Sequence, residues 1–340
     1  MAWDCKKNFG FWLLNIGFIL LLTFSSGCGE KKQLFSKTQV VMGTIAEIKV
    51  IDDDPLRAEG TIKRCFERIK EIEDKMSSHN PESELSILNR NKKMKVSKDL
   101  FYVLEKSVAY SNLSTGAFDV TIGPVTELWG FREDKGIVPT RDKIAQKAIL
   151  VDYRQVKLNP RNREVVLGLE GMKIDLGGVA KGYAVEEAID IIESAGIKDA
   201  LVDIGRNIKA IGKNPYGKLW QIGIQHPRKA NEILGAFPLK NMAVATSGDY
   251  EHFFIDKGRR YHHIIDPKSG YPANLCISVT IITPSAMIAD ILSTAVFVLG
   301  EKAGMELIEK LDTVEGIIVS DSGIMVSPGI KNKIKLSKFP

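Results

Sequence analysis

The sequence predicts an α+β fold: a mixed, mainly antiparallel sheet with packed helices. Three observations lead there. Strand-like runs cluster between single amphipathic helices, turn signals such as "KNPYGK" join neighbouring runs, and no Gly-x-Gly-x-x-Gly follows an early strand, which argues against a doubly wound dinucleotide fold. At 340 residues and 44% hydrophobic composition, the chain can build a substantial core, as one large domain or two closely packed lobes.

The first strand candidate is Gln39–Ile51, "QVVMGTIAEIKVI", where β-branched residues alternate with regular polar interruptions. Over 57–77, Ile62, Cys65, Phe66, Ile69, Ile72 and Met76 recur at spacings of three and four, so one face of a helix is apolar and the other carries Lys, Arg and Glu. Ser97 is suited to cap a second helix reaching about Ser111, with Leu100, Leu104 and Val108 spaced by four. A third is expected from Val179 to Ala195, ending at Gly196, and a fourth from a Ser285 cap to a stop at Gly300. The runs "EVVLGL", "ALVDIG", "LWQIGIQ", "NMAVATS", "CISVTIIT" and "GIIVSD" supply the remaining strands.

The N-terminus stands apart. Lys6 and Lys7 precede the apolar run Phe9–Phe24, which leads into "SSGC" ending at Cys28, the layout of an export signal. The run is short for a membrane span. A cysteine directly after small residues resembles a bacterial lipobox, with Ser25 where that pattern usually has Leu. The expected organisation is a lipoprotein-type signal peptide over residues 1–27, a membrane tether over 28–38 beginning with lipidated Cys28, and a folded domain over 39–336. Of four cysteines, Cys5 would leave with the signal and Cys28 would carry lipid, so Cys65 and Cys276 read as small core residues and not as a disulfide scaffold. The 47 basic and 42 acidic residues give a formal charge of +5 without an arginine-rich arm, so no nucleic-acid partner is expected.

Four clusters could carry chemistry. "STGAFDVTIGPVTELWGF" (114–131) reads on its own as a buried loop and strand with a turn at Gly-Pro. "DLGGVAKGY" (175–183) puts a glycine pair at a helix entry, where free N–H groups and bare carbonyls suit a phosphate or the cation that neutralises it, with Lys181 nearby; helix-entry glycines are also common packing devices. Asp290 and Thr294, four apart on an apolar helix, share a face. Their oxygens suit magnesium, whereas a purely structural pair would have the hydroxyl bonded back to its helix and the acid matched by an arginine. "ATSGDYEHFF" (245–254) leads into "RRYHHIIDPKSGYP", whose adjacent His262 and His263 suggest zinc. The HExxH and CxxC spacings that usually accompany it are absent from the chain, and the histidines could equally be strand residues beside a turn.

Seven segments, "VMGT", "PESELSILN", "STGAFDVTIGP", "DLGGVAKGYAVE", "ATSGDYEHFF", "HHIIDPKSGYP" and "ADILSTAVFVLG", occur in an order and spacing that resemble the FAD:protein FMN transferases, the ApbE-type flavin transferases. The resemblance runs from about Val41 to Phe297. It implies an α+β enzyme that uses Mg2+ and takes FAD as substrate on the periplasmic face of the cell membrane. There it would move FMN onto a Ser or Thr hydroxyl of an acceptor flavoprotein subunit of a membrane redox complex and release AMP. By motif position, Gly178, Asp290 and Thr294 would hold the metal. Met42, His79, Ala117, Phe118, Asp119, Asp175, Lys181 and Ile265 would contact the flavin nucleotide, with His79 standing where the family often has an aromatic ring. His263 is the expected general base, with Asp290 as a second catalytic candidate. Where the family commonly has two glycines, this chain has Gly205-Arg206. Two other activities would use the same features: an FAD pyrophosphatase giving FMN and AMP, and a flavin-binding lipoprotein without turnover.

Overall fold

The computed structural model describes residues 32–131, 136–229 and 231–336; the expected signal peptide over residues 1–27, with Cys5, and the expected lipid site Cys28 lie outside them. The first strand candidate is a hairpin. Strands β1 (Gln33–Val41) and β2 (Thr44–Asp52) pair antiparallel along their full length, from Gln33 opposite Asp52 to Val41 opposite Thr44. The chain reverses at Met42 and Gly43, both at positive φ (51° and 69°), the pattern of a two-residue type I′ turn. Because β1 starts at Gln33, residues 33–38 are strand and not tether: their backbone is paired to β2.

Helix α1 (Pro55–Met76) follows, started by the Asp54 side chain, which accepts from the amides of Leu56 and Arg57, and by proline in the first turn. Its buried stripe includes Ala58, Ile62, Cys65, Phe66, Ile69, Ile72 and Met76, at the spacing read from the sequence. After α2 (Glu84–Asn91) and β3 (Lys93–Lys95), helix α3 (Lys98–Leu113) opens at Ser97, whose hydroxyl accepts from the Leu100 amide at 3.2 Å. Within 114–131, where a strand was expected, the chain forms a tight turn and helix α4 (Gly123–Trp129). Pro124 presets φ in its first turn and Gly130, at φ 60°, ends it. Helix α5 (Arg141–Ala148) leads to β4 (Val156–Asn159) and β5 (Glu164–Leu167), which join β3 in a small sheet of order β3-β5-β4.

The second half builds the main sheet. Helix α6 (Ala180–Ser194) precedes β6 (Ala200–Ile204), β7 (Asn207–Ile211), β8 (Trp220–Gln225), β9 (Ile233–Leu239), β10 (Met242–Gly248), β11 (Phe253–Asp256), β12 (Arg259–His262) and β13 (Ser278–Thr283). Helices α7 (Ala286–Leu299) and α8 (Glu301–Glu309) are followed by β14 (Glu315–Ser320), β15 (Gly323–Val326) and β16 (Lys335–Leu336). Eight strands form one sheet in the order β1-β2-β6-β7-β10-β13-β14-β15, every pairing antiparallel, so the expected fold class holds.

Alternation along the central strands fills two layers of core. Val279 and Ile281 of β13 pack toward α7 and α8, while Ile282 packs with Trp220, Ile222 and Phe237 of the β16-β9-β8 sheet on the other side. All six residues of β13 are buried, which accounts for its unbroken run of strand-forming residues. Helices α1, α6 and α7 cover the first face. Gly182 lets α6 and α7 approach closely, since a Cβ there would lie 2.4 Å from the Ala286 carbonyl oxygen.

Candidate active site

The site forms where the entry to α6 meets the middle of α7. On α7, Ser285 caps the first turn by accepting from the Ile288 amide, and an otherwise apolar helix carries Asp290 and Thr294 one turn apart on the same face. Asp290 is buried, at 5% exposure, and among the described residues its one hydrogen-bond donor is the Gly182 N–H, at 3.0 Å to Oδ2. Burial pushes its carboxyl pKa up, against weaker opposing effects from the Lys181 charge and the Gly182 amide. Among the described residues no arginine pairs with this acid, whereas the Thr294 hydroxyl does reach back to its own helix, so the structural pair weighed for these residues is met in its threonine half alone.

Thr294 faces the glycine turn. A Cβ on Gly178 would lie 3.1 Å from Thr294 Oγ1 and 3.3 Å from Phe118 Cε2, so these three residues meet, and Asp290 stands one helical turn before Thr294 on α7. Two hydroxyls that motif reading missed join them. Ser247 Oγ, near the end of β10, lies 2.9 Å from Ser293 Oγ and 3.4 Å from Thr294 Oγ1. Ser247 stands in the quoted "ATSGDY" segment and Ser293 beside Thr294, but only the packing of β10 on α7 unites them. Thr294 Oγ1 also reaches the Asp290 carbonyl at the long distance of 3.5 Å, a weak back-bond.

The glycine turn is held by Asp175, whose Oδ1 accepts from the Gly177 amide at 2.8 Å and whose Oδ2 accepts from Thr126 Oγ1 at 2.9 Å. Lys181 folds over it, donating from Nζ to the Gly177 carbonyl at 2.9 Å. Alongside runs the 114–122 segment: the Asp175 amide donates to the Val120 carbonyl at 2.8 Å, and Ile122 bridges Lys173 in parallel. Its turn at Thr115 and Gly116, both at positive φ, presents Ala117 and Phe118. Asp119 points away into the protein. Its Oδ1 accepts from the Thr121 amide and hydroxyl at 2.8 and 2.7 Å, its Oδ2 from the Tyr153 amide at 3.0 Å, and burial raises its pKa.

Met42 and His79 are positioned by α1. The Met42 amide donates to Glu73 Oε1 at 3.0 Å, and the His79 amide to Oγ of Ser77, the residue that ends the helix, at 3.2 Å. The two adjacent histidines part company. His262 is buried: its Nδ1 accepts from the Ile264 amide at 3.3 Å, its Nε2 donates to the Ala273 carbonyl at 2.7 Å, and its ring packs edge-on against Phe297 of α7. Burial lowers its pKa, so the neutral ring is a structural pin. His263 donates its amide to the His252 carbonyl at 3.0 Å, and the two imidazoles meet edge-to-face at 5.4 Å. Ile265 bridges Pro272 across the "DPKSG" turn and lies in a cluster with Val125, Trp129 and Ile144. Among the described residues, no three His, Cys, Asp or Glu side chains gather as a metal-binding group. The Asp290 centre therefore offers one carboxylate with neutral oxygens beside it.

Fold and site together define an antiparallel α+β protein built around one buried acid beside a glycine-rich helix entry. The chain belongs to the ApbE family, whose model matches residues 42–318. It is 34% identical to the FAD:protein FMN transferase of Haemophilus influenzae over 314 residues, covering 88% of this chain and 91% of that protein. Its fold is similar to the ApbE protein of Thermotoga maritima, with a TM-score of 0.82 and 34% identity over 88% of this chain and 99% of that one. It is also similar to flavin transferase ApbE from Vibrio cholerae, with a TM-score of 0.80 and 30% identity over 89% and 99% of the two chains.

Proposed function

We propose that this chain is an FAD:protein FMN transferase that moves the FMN half of FAD onto a Ser or Thr hydroxyl of an acceptor flavoprotein and releases AMP. The observation that carries this reading is Asp290: a buried carboxylate on an apolar helix, supplied with one backbone donor from Gly182 of α6, one turn from Thr294, whose hydroxyl lies on Gly178. A buried acid is costly unless something compensates it. The donors beside it are all hard oxygens, so the residues fit magnesium, held by Asp290, Thr294 and the Gly178 carbonyl. With one carboxylate in reach the ion would keep several waters, and it would neutralise charge on the diphosphate of FAD.

The chain's own residues do the rest. Lys181 places an ammonium over the glycine turn, where it helps hold the diphosphate. Asp175 and Thr126 fix the shape of that turn, while Asp119 orders the segment that presents Ala117 and Phe118 to the flavin nucleotide. Met42, His79 and Ile265 complete the nucleotide contacts. His263 takes the proton of the acceptor hydroxyl as its oxygen forms a bond to the FMN phosphorus and the P–O bond to AMP breaks. Residues 1–27 direct export, and lipid on Cys28 anchors the enzyme at the periplasmic face of the membrane, with a subunit of a membrane redox complex as acceptor. The layout of Lys6, Lys7, the apolar run and "SSGC" supports that placement.

Incubating the protein with FAD and magnesium, with and without acceptor, tests the activity. AMP should appear only with acceptor, together with a flavin-fluorescent acceptor band on a denaturing gel. AMP without acceptor makes the enzyme a pyrophosphatase, and no AMP in either tube leaves a binding protein.

A further inference from the structure

The β6–β7 turn is built from Gly205 and Arg206, both at positive φ (56° and 69°). Glycine adopts this conformation freely, whereas an arginine enters it at a cost, so a side chain is kept at 206 against the preference of the backbone. The Arg206 amide donates to Asp203 Oδ1 at 2.8 Å, while the guanidinium reaches across to pair with Glu251. Glu251 lies in the loop 249–252 that follows β10.

That loop is fixed at both ends. Asp249, at 8% exposure, accepts two hydrogen bonds from Arg228 (2.6 and 2.7 Å) and one from Arg260 (3.2 Å), and its amide donates to the Ile277 carbonyl at 3.0 Å. At the other end, next to Glu251, the His252 carbonyl accepts the His263 amide and its ring meets the His263 ring edge-to-face. Register puts this apparatus beside the site: Ala245 of β10 opposes Asn207 of β7, so Ser247, which touches Thr294, lies level with the Gly205–Arg206 turn.

We propose that the Arg206–Glu251 pair is a positioning device for the transfer reaction: it holds the loop 249–252 so that His252 sets the orientation of the His263 imidazole. The inference rests on the reading of His263 as the base. An exposed ion pair adds little to stability, and here it needs an unfavourable backbone conformation, so global stability does not account for the arginine. Orientation does, because a general base works only within hydrogen-bond reach of the proton it removes.

The test uses the full-length protein, following FAD affinity, thermal midpoint and single-turnover FMN transfer. Arg206→Gly relieves the backbone conformation and removes the guanidinium. Transfer should slow about tenfold with FAD affinity unchanged and the midpoint no lower than wild type, a split that a merely structural role would not give. The charge-swapped pair Arg206→Glu with Glu251→Arg should recover most of the rate. In a His263→Ala background, Arg206→Gly should cost nothing further, since both act through one imidazole. Wild-type transfer by Arg206→Gly, an undiminished effect in the His263→Ala background, or rate and FAD affinity falling together would each overturn the proposal. If His263→Ala itself transfers at the wild-type rate, the assignment of the base fails, and the positioning role fails with it.

Discussion

Asp290 and His262 show how burial sorts two ionisable groups into different jobs. Asp290 has its pKa pushed up by burial, opposed by the Lys181 charge and one backbone donor, and a bound cation would favour its ionised form further. Asp290→Ala should abolish magnesium-dependent AMP release while circular dichroism and thermal midpoint show a folded protein. Thr294→Val should be milder, because water can replace one neutral oxygen ligand. Full magnesium-dependent turnover by Asp290→Ala would refute the metal assignment. His262 instead has both ring nitrogens engaged by backbone and its pKa pushed below 6.5 by burial. Once unfolded, the ring regains its ordinary pKa and binds a proton that the folded protein resists. The stability it contributes is therefore complete above 6.5 and is lost as pH falls through that value toward the lower folded pKa. Unfolding free energy should drop over this window with a slope of up to about 1.4 kcal/mol per pH unit from this residue. Urea titrations of His262→Gln should show a shallower fall, and an unchanged slope would mean that other groups carry the pH dependence.

Among the elements, the α6–α7 crossing governs the site most directly, because Gly182 both admits the close approach and donates its amide to Asp290. A Cβ at 182 would come within 2.8 Å of the Asp290 Cβ as well as crowding Ala286. Gly182→Ala should therefore destabilise by about 1–3 kcal/mol through overpacking and weaken magnesium-dependent transfer as the helices separate. Gly60 in α1 is the control. It is an exposed helical glycine, and a Cβ there would meet nothing within 4 Å, so Gly60→Ala should stabilise by about 0.5–1 kcal/mol and leave transfer alone. Denaturant midpoints of the two variants that move the same way would contradict this account of the crossing. Legibility follows the same division between local and distant causes. Helix α7 was readable from its Ser285 cap, apolar run and Gly300 stop, and the Asp290–Thr294 pair from a spacing of four, since each signal is local to the chain. The β1–β2 reversal was not, because Met-Gly is a weak hairpin signal beside Asn-Gly and the β-branched pattern runs straight through it. Helix α4 was hidden by Val120, Thr121 and Ile122, residues that favour strands until Pro124 and the buried Asp119 turn decide otherwise. The pairing of Ser247 and of Arg206, the latter noted in the sequence for standing beside Gly205, was out of reach for another reason: their partners lie 46 and 45 residues away, and only the order β7-β10 and the packing of α7 bring them together.

At the scale of the whole molecule, the main antiparallel sheet begins close to the N-terminal edge of the described residues and runs through to β15. Because β1 begins at Gln33 and is paired throughout, the stretch between Cys28 and the first strand shrinks to residues 29–32. Among the described residues no helix is long and apolar enough to cross a membrane. For the proposed membrane attachment, lipid on Cys28 is the chemistry the sequence offers. An anchor matters physically for an enzyme whose acceptor is itself membrane-bound, since tethering both raises the effective concentration of one near the other without any new contact. Mass spectrometry of the protein isolated from membranes should find Cys28 as the mature N-terminus carrying acyl chains. Cys28→Ala should either be released from the membrane or retain its uncut signal. A soluble wild-type protein with residues 1–27 intact and unmodified would remove the anchor, and the placement of the reaction at the periplasmic face would lose its support.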